Sequence, residues 1–213
     1  RMVTDAITDH FFTTSEVANH NLKKNGIPDD RIHFVGNTMI DTLLKQEQNF
    51  QQPVIWREAS LQAGQYFVLT LHRPANVDAE QKLKELLDTI IKGSKGLPII
   101  FPVHPRTAKN LKSVGIQTDH LFMTDPMSYL EFNYLVKHAK AVITDSGGIT
   151  EETTVMRVPC MTLRNNTERP ETVTVGTNEL IGTDPKNLPP AFDHLFSGQW
   201  KKGAIPELWD GKT

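Results

Sequence analysis

Asp145-Ser146-Gly147-Gly148-Ile149-Thr150-Glu151-Glu152 follows the apolar run Ala141-Val142-Ile143-Thr144 and runs on into Val155 and Met156. That order reads as a strand, a tight turn and a helix. Two adjacent glycines at such a turn let a ligand approach the backbone where a Cβ would intrude. The opening turn of the helix leaves N–H groups unpaired, with the positive end of the helix dipole behind them, which favours an anion and above all a phosphate. Glu152 lies one helical turn past Gly148, where its carboxylate can accept hydrogen bonds from a diol such as a ribose. The same residues also fit a plain capped helix, with Asp145 or Ser146 as N-cap and Glu151 and Glu152 answering the dipole.

Working outward, apolar runs at Phe67–Leu71, Ile99–Val103, His120–Thr124, Ala141–Thr144 and Pro159–Leu163 read as strands, and Pro102 weakens the centre of the second. Between them, Leu83, Leu86, Leu87, Ile90 and Ile91 share one helical face, with Asp78 as the expected N-cap and Gly93 as the stop. Residues 107 to 114 read as a short helix. Ser128-Tyr129-Leu130-Glu131 is a capping-box pattern opening a helix with Phe132, Leu135, Val136 and Ala139 inward. A late helix carries Leu188, Ala191, Phe192, Leu195 and Phe196. Upstream lie a helix over residues 1 to 9, a brief strand at Phe11-Phe12-Thr13, a helix from Ser15 to Gly26, a strand at Ile32–Val35 and a helix through Met39, Ile40, Leu43 and Leu44. Strands alternating with helices predict an α/β fold: a Rossmann-like three-layer domain with a parallel sheet.

A parallel sheet places every strand's C-terminal end on one rim, where ligands of such sheets bind. The exits there are His72-Arg73-Pro74, His104-Pro105-Arg106, Asp145-Ser146-Gly147-Gly148, and Arg164 followed by Thr167-Glu168-Arg169-Pro170-Glu171. Two histidines, four arginines and a glycine turn on one rim suit a polyanionic small ligand such as a nucleoside diphosphate. Taken singly, each has a plainer reading: a surface histidine, solvated arginines, and Glu168 or Glu171 paired with Arg164 or Arg169.

The bulk numbers narrow the classes. A chain of 213 residues with 38% hydrophobic and 23% charged residues can bury a sizeable core. A net charge of −2 gives no hint of nucleic acid or an anionic membrane as partner, and neither is expected. No apolar run approaches the roughly 20 residues of a membrane span. The single cysteine, Cys160, fits a cytoplasmic protein and reads as a buried structural thiol. No P-loop, no G-x-G-x-x-G, no zinc spacing and no G-x-S-x-G elbow is present, so neither a cofactor nor a metal is expected. The start at Arg1 within a helix in progress, and the end at Asp210-Gly211-Lys212-Thr213 without a stop signal, are those expected of a fragment.

The opening stretch, joined to Thr167-Glu168-Arg169-Pro170-Glu171 and Gly182-Thr183-Asp184, resembles the non-hydrolysing UDP-N-acetylglucosamine 2-epimerases. Thr14-Ser15-Glu16, Gly36-Asn37-Thr38 with Ile40-Asp41, His72-Arg73 with Asn76, and Pro102-Val103-His104-Pro105 are similar to further family blocks, in family order. The resemblance implies the C-terminal half of a GT-B-like fold. Residues 1–30 would be the tail of an N-terminal Rossmann-like domain, and 31–213 the nucleotide-sugar-binding domain. It implies elimination of UDP from C1 and C2 of UDP-GlcNAc and its re-addition to give UDP-ManNAc, for surface polysaccharide precursors, by a homodimer at full length. It also implies His72 as the catalytic residue, with Ser146, Gly147 and Gly148 at the diphosphate, Arg169 on phosphate, Glu152 on the ribose, and Phe132 and Met127 by the uracil. Arg73 and His104 are further binding candidates. The chain departs from the pattern at Pro74-Ala75-Asn76, where members often carry a Glu, and at Thr150 and Met127, where they often carry Gln. Rival readings are a 2-epimerase of a modified UDP-sugar, a GT-B glycosyltransferase, and a non-catalytic UDP-binding module.

Overall fold

The computed structural model describes residues 2–103, 107, 108, 111, 115, 116 and 118–213. The short helix expected over 107 to 114 falls largely outside these. The first helix, α1 (Met2–Ala6), leads into β1 (Phe11–Thr13) and α2 (Glu16–Lys24), which Ser15 caps through the Ala18 amide. Then come β2 (Ile32–Phe34), α3 (Thr38–Gln46) and α4 (Ile55–Glu58). β1 and β2 pair in parallel as a small sheet of their own.

The main sheet begins at β3 (Phe67–Thr70) and continues with β4 (Ile99–Pro102), β5 (Leu121–Thr124), β6 (Ala141–Thr144), β7 (Cys160–Thr162) and β8 (Asn178–Leu180). Its six strands are all parallel in the order β5-β4-β3-β6-β7-β8. Pro102 is the last residue of β4, where a missing N–H breaks the ladder least. The strand order reverses between β3 and β6, and a doubly wound sheet opens a ligand crevice at that point.

The remaining helices are α5 (Pro74–Val77), α6 (Glu80–Gly93), α7 (Tyr129–His138), α8 (Gly147–Met156), α9 (Pro170–Thr174) and α10 (Leu188–Phe196). Side-chain alternation along the strands fills two cores. Phe67, Leu69, Phe101, Ile143 and Met161 face α6 and α10. Val68, Ile100, Val142 and Cys160 face α4 and α7. Each such residue, fully removed from water, contributes roughly 1.5–3 kcal/mol. Cys160 is fully buried, and burial pushes its thiol up to about 12, which leaves it inert as a nucleophile at neutral pH.

The capping box at Ser128 and Glu131 forms as expected, with both reciprocal bonds in place. Asp78, the expected cap of α6, instead closes α5, and Ala79 takes the N-cap position. The proline at the start of α5 begins that short helix early and shifts the junction by one residue. β8 and α9 had no signal in the apolar pattern. A third cluster joins Ile40 and Leu43 of α3 to Val155 of α8, closed by Trp209 from the C-terminal tail. Among the described residues no helix is long and apolar enough to cross a membrane.

Candidate functional site

β3 and β6 lie side by side, so their exits meet. Thr70 and Thr144, the last residues of these strands, share a hydroxyl–hydroxyl hydrogen bond of 2.6 Å. Just beyond them the fully buried Asp145 turns back toward the β3 exit. Its Oδ1 accepts from the His72 amide at 3.1 Å, and its Oδ2 from the Arg73 amide at 3.0 Å and from Asn76 Nδ2 at 3.1 Å. His72 Nδ1 stands 2.8 Å from Oδ1, while the imidazole remains about half exposed. Arg73 Nε donates to the Asp145 carbonyl at 2.9 Å. This arginine is therefore turned onto the turn it supports.

Because Asp145 is spent on the β3 exit, it does not cap α8. Ser146 occupies the N-cap position without a side-chain cap bond, its amide donating to Thr144 Oγ1 at 3.0 Å. The first turn of α8 thus opens with Gly147 and Gly148 and no side-chain cap. A Cβ on Gly147 would stand 3.7 Å from an Arg164 guanidinium nitrogen, and one on Gly148 would stand 3.2 Å from the Met39 methyl. The glycine turn is consequently walled by α3 on one side and by Arg164 on the other.

Arg164 is buried and bonds Glu168 at 2.6 Å. Its hydrogen bonds hold the exposed Glu168 carboxyl down to about 2. Of the alternatives open from sequence, that pairing forms, but Arg169 does not pair with Glu171. Its Nε bonds the buried Glu151. Glu151 thus answers an arginine and not the helix dipole. Glu152 is buried as well. Burial pushes its carboxyl up, opposed by the Tyr129 and Asn133 side chains on α7, which lean toward it without meeting hydrogen-bond geometry. Phe132 and Met127 pack against the core on that same side, beside Ile149 of α8. His104 lies outside the described residues.

The structure therefore brings together His72, Arg73, Ser146, Gly147 and Gly148 at one crevice, with Arg169 held by Glu151 and Glu152 buried beside Tyr129. A cleft of about 570 Å³ separates Phe11, Thr13 and Ser15 from Glu168, Arg169 and Pro170. A groove of about 610 Å³ between α6 and α10, lined by Lys84, Asp88, Lys92 and Phe192 among others, contains none of these residues. Sequence reasoning missed Asp145 as the hub, Tyr129 as the neighbour of Glu152, and Glu151 as the partner of Arg169. Asn76, noted only as part of a block, was the one trace of the hub in the sequence.

Glu171 is 6% exposed, and neither carboxylate oxygen has a hydrogen-bond partner among the described residues. Burial, the largest influence, pushes its carboxyl up. Its own amide leans toward the carboxylate without meeting hydrogen-bond geometry, and this and Arg169 offset part of the burial, while Glu151 adds to it. A carboxyl raised in the fold stabilises below its ordinary range and loses that contribution as pH rises through its folded value. Relative to the unmutated protein, Glu171→Gln should therefore gain melting temperature as pH rises from below about 4, under the ordinary carboxyl range, to pH 8. Thermal melts of the two proteins across that range measure it, and parallel pH profiles would refute it.

The family model described as UDP-N-acetylglucosamine 2-epimerase matches residues 1–213, the whole chain. The chain belongs to the UDP-N-acetylglucosamine 2-epimerase family. A relative from Methanococcus maripaludis named UDP-N-acetylglucosamine 2-epimerase is 42% identical over 88% of this chain and 54% of its own length. The structure of Methanocaldococcus jannaschii UDP-GlcNAc 2-epimerase in complex with UDP-GlcNAc and UDP superposes with a TM-score of 0.82 at 37% identity, covering 99% of this chain and 61% of that one. The Neisseria meningitidis enzyme bound to UDP-GlcNAc gives 0.84 at 26% identity, covering 98% and 59%. The parallel-sheet α/β fold expected from sequence is thus that of the epimerase family, and the chain spans little more than half the length of these relatives.

Proposed function

We propose that this chain supplies the nucleotide-binding wall of an isomerase that interconverts UDP-GlcNAc and UDP-ManNAc. The observation that carries the reading is the meeting of the His72 exit and the uncapped glycine turn of α8 at the switch point between β3 and β6. The diphosphate sits on the backbone of Ser146, Gly147 and Gly148, where amide donors and the helix dipole stabilise the charge that develops as the C1–O bond breaks. Arg169 leaves Glu151 to reach a phosphate, Glu152 receives the ribose hydroxyls beside Tyr129, and Phe132 with Met127 borders the base. His72 moves a proton, and Arg73 and His104 complete the binding set. Carboxylates for the C2 proton come from the opposite wall of the cleft.

Residues 1–30 then belong to a first domain and the six-stranded unit to a second, in a GT-B-like arrangement. The pairing of β2 with β1 carries that first unit past residue 30, to Gly36. Binding of UDP-GlcNAc and UDP by solved family members supports the substrate. At full length the protein works as a homodimer in the cytoplasm, without nucleic acid or membrane as partner.

Protein at the full length of its relatives, incubated with UDP-GlcNAc in D2O, should yield UDP-ManNAc and deuterium at C2 of recovered UDP-HexNAc. No exchange and no ManNAc product would sink the proposal. Arg169→Ala should weaken UDP by about 10-fold or more, as expected for losing one charge-assisted pair, and leave uridine within about threefold. Titration calorimetry with both ligands makes the comparison, and equal losses would show that Arg169 does not read phosphate.

A further inference from the structure

His72 is placed by one neighbour above all. Asp145 Oδ1 stands 2.8 Å from the His72 Nδ1 and 3.1 Å from the His72 amide. The same carboxylate accepts from the Arg73 amide and from Asn76 Nδ2. Asn76 Nδ2 is in turn held to the Leu163 carbonyl at the end of β7, so three strand exits converge on this one side chain. Asp145 is 0% exposed, which keeps water from competing for its oxygens.

We propose that Asp145 is the positioning residue for the His72 imidazole: it holds Nδ1 as the protonated nitrogen and leaves the Nε2 lone pair directed to the cleft. The proposal rests on the reading of His72 as catalytic. A carboxylate already ringed by N–H donors has no proton to offer, so the ring nitrogen facing it carries the hydrogen. Nε2 is then the one atom of the ring that exchanges a proton with substrate. It takes the proton as imidazole and returns it as imidazolium, with Nδ1–H bonded to Asp145 throughout and no net change in the pair. The geometry also fixes the ring plane, because Oδ1 binds the backbone amide and the ring of the same residue.

Two measurements test this at the full length of the relatives. The first is the ¹⁵N spectrum of histidine-labelled, unmutated protein above neutral pH, with the His72 signals identified by their loss in His72→Gln. Nδ1 should appear protonated and Nε2 unprotonated. The reverse tautomer, or the mixture shown by an exposed histidine, overturns the proposal whether or not any variant folds. The second is Asp145→Asn, which keeps size but can present an amide N–H to the ring. Turnover should fall about 10²–10⁴-fold, as when an orienting carboxylate is replaced by its amide. KM and UDP affinity should stay within about threefold, and the His72 tautomer should reverse. A merely structural role would instead raise KM together with the loss of turnover and leave the tautomer unchanged, and that pattern refutes the proposal. The double variant with His72→Ala should be no slower than His72→Ala alone, whereas additive losses would count against it. Should His72→Ala keep normal turnover, the catalytic reading fails. Should it lose turnover while Asp145→Asn keeps it, the positioning assignment alone fails.

Discussion

His72→Ala should lower turnover about 10²–10⁴-fold in protein of the relatives' full length, the usual contribution of a positioned proton-transfer group. UDP affinity should change little. The imidazole is half exposed, and its ring bond is to Asp145, while the turn proposed to hold the diphosphate is built from backbone at Ser146, Gly147 and Gly148. Removing the ring leaves the His72 and Arg73 amides bonded to Asp145, so the exit keeps its path. Steady-state kinetics with UDP-GlcNAc, set beside UDP titration, separates these effects. Turnover near that of the unmutated enzyme would make His72 a structural residue.

Trp209→Ala should destabilise the chain by about 3–5 kcal/mol, the usual cost of deleting a buried tryptophan. Trp209 is 1% exposed and packs with Ile40 and Leu43 of α3 and Val155 of α8. Its Nε1 also donates to the Thr14 carbonyl at 2.9 Å, just past β1. The tail around it is held by further bonds: the Thr213 amide and hydroxyl both reach Asp41 on α3. Gly36 meets the tail so closely that an added Cβ would lie 2.2 Å from the Leu208 carbonyl oxygen. One side chain thus ties the small sheet to the large one. The loss should lower the melting temperature on the order of 10 °C for a domain of this size. It should also expose residues 200–213 to protease, because their burial depends on this anchor. A drop of under 2 °C, with the tail still protected, would show that the other tail contacts suffice.

Much of the architecture was legible because its signals are local. The capping box at Ser128 needs only Glu131, and both residues sit in one turn. β3 and β6 are continuous apolar runs, as strands covered on both faces must be. β8 escaped for the opposite reason. Asn178 is fully buried, yet it is polar, and its amide is satisfied by the Thr150 carbonyl on α8. A buried polar residue looks like a loop residue until its distant partner is known. Ser146 takes the N-cap position of α8, one of the two expected, but no side chain caps that helix, for the same reason. An aspartate before a helix has a local choice of partner, and here the amides of His72 and Arg73, some seventy residues upstream, supply a better one.

By itself the sequence determined a parallel α/β sheet, the strand–turn–helix at Asp145–Glu152, and the rim on which His72, Arg73, Ser146, Gly147, Gly148 and Arg169 fall. Hydrophobic period and glycine placement are properties of neighbouring residues, and they survive in any sequence that folds this way. Tertiary structure decided which charges are engaged: Asp145 with the His72 exit and Glu151 with Arg169, while Glu171 has no hydrogen-bond partner among the described residues. The physical reason is that a buried charge is stabilised by whatever the fold brings within about 3 Å, and that distance is set by strand order and not by spacing along the chain.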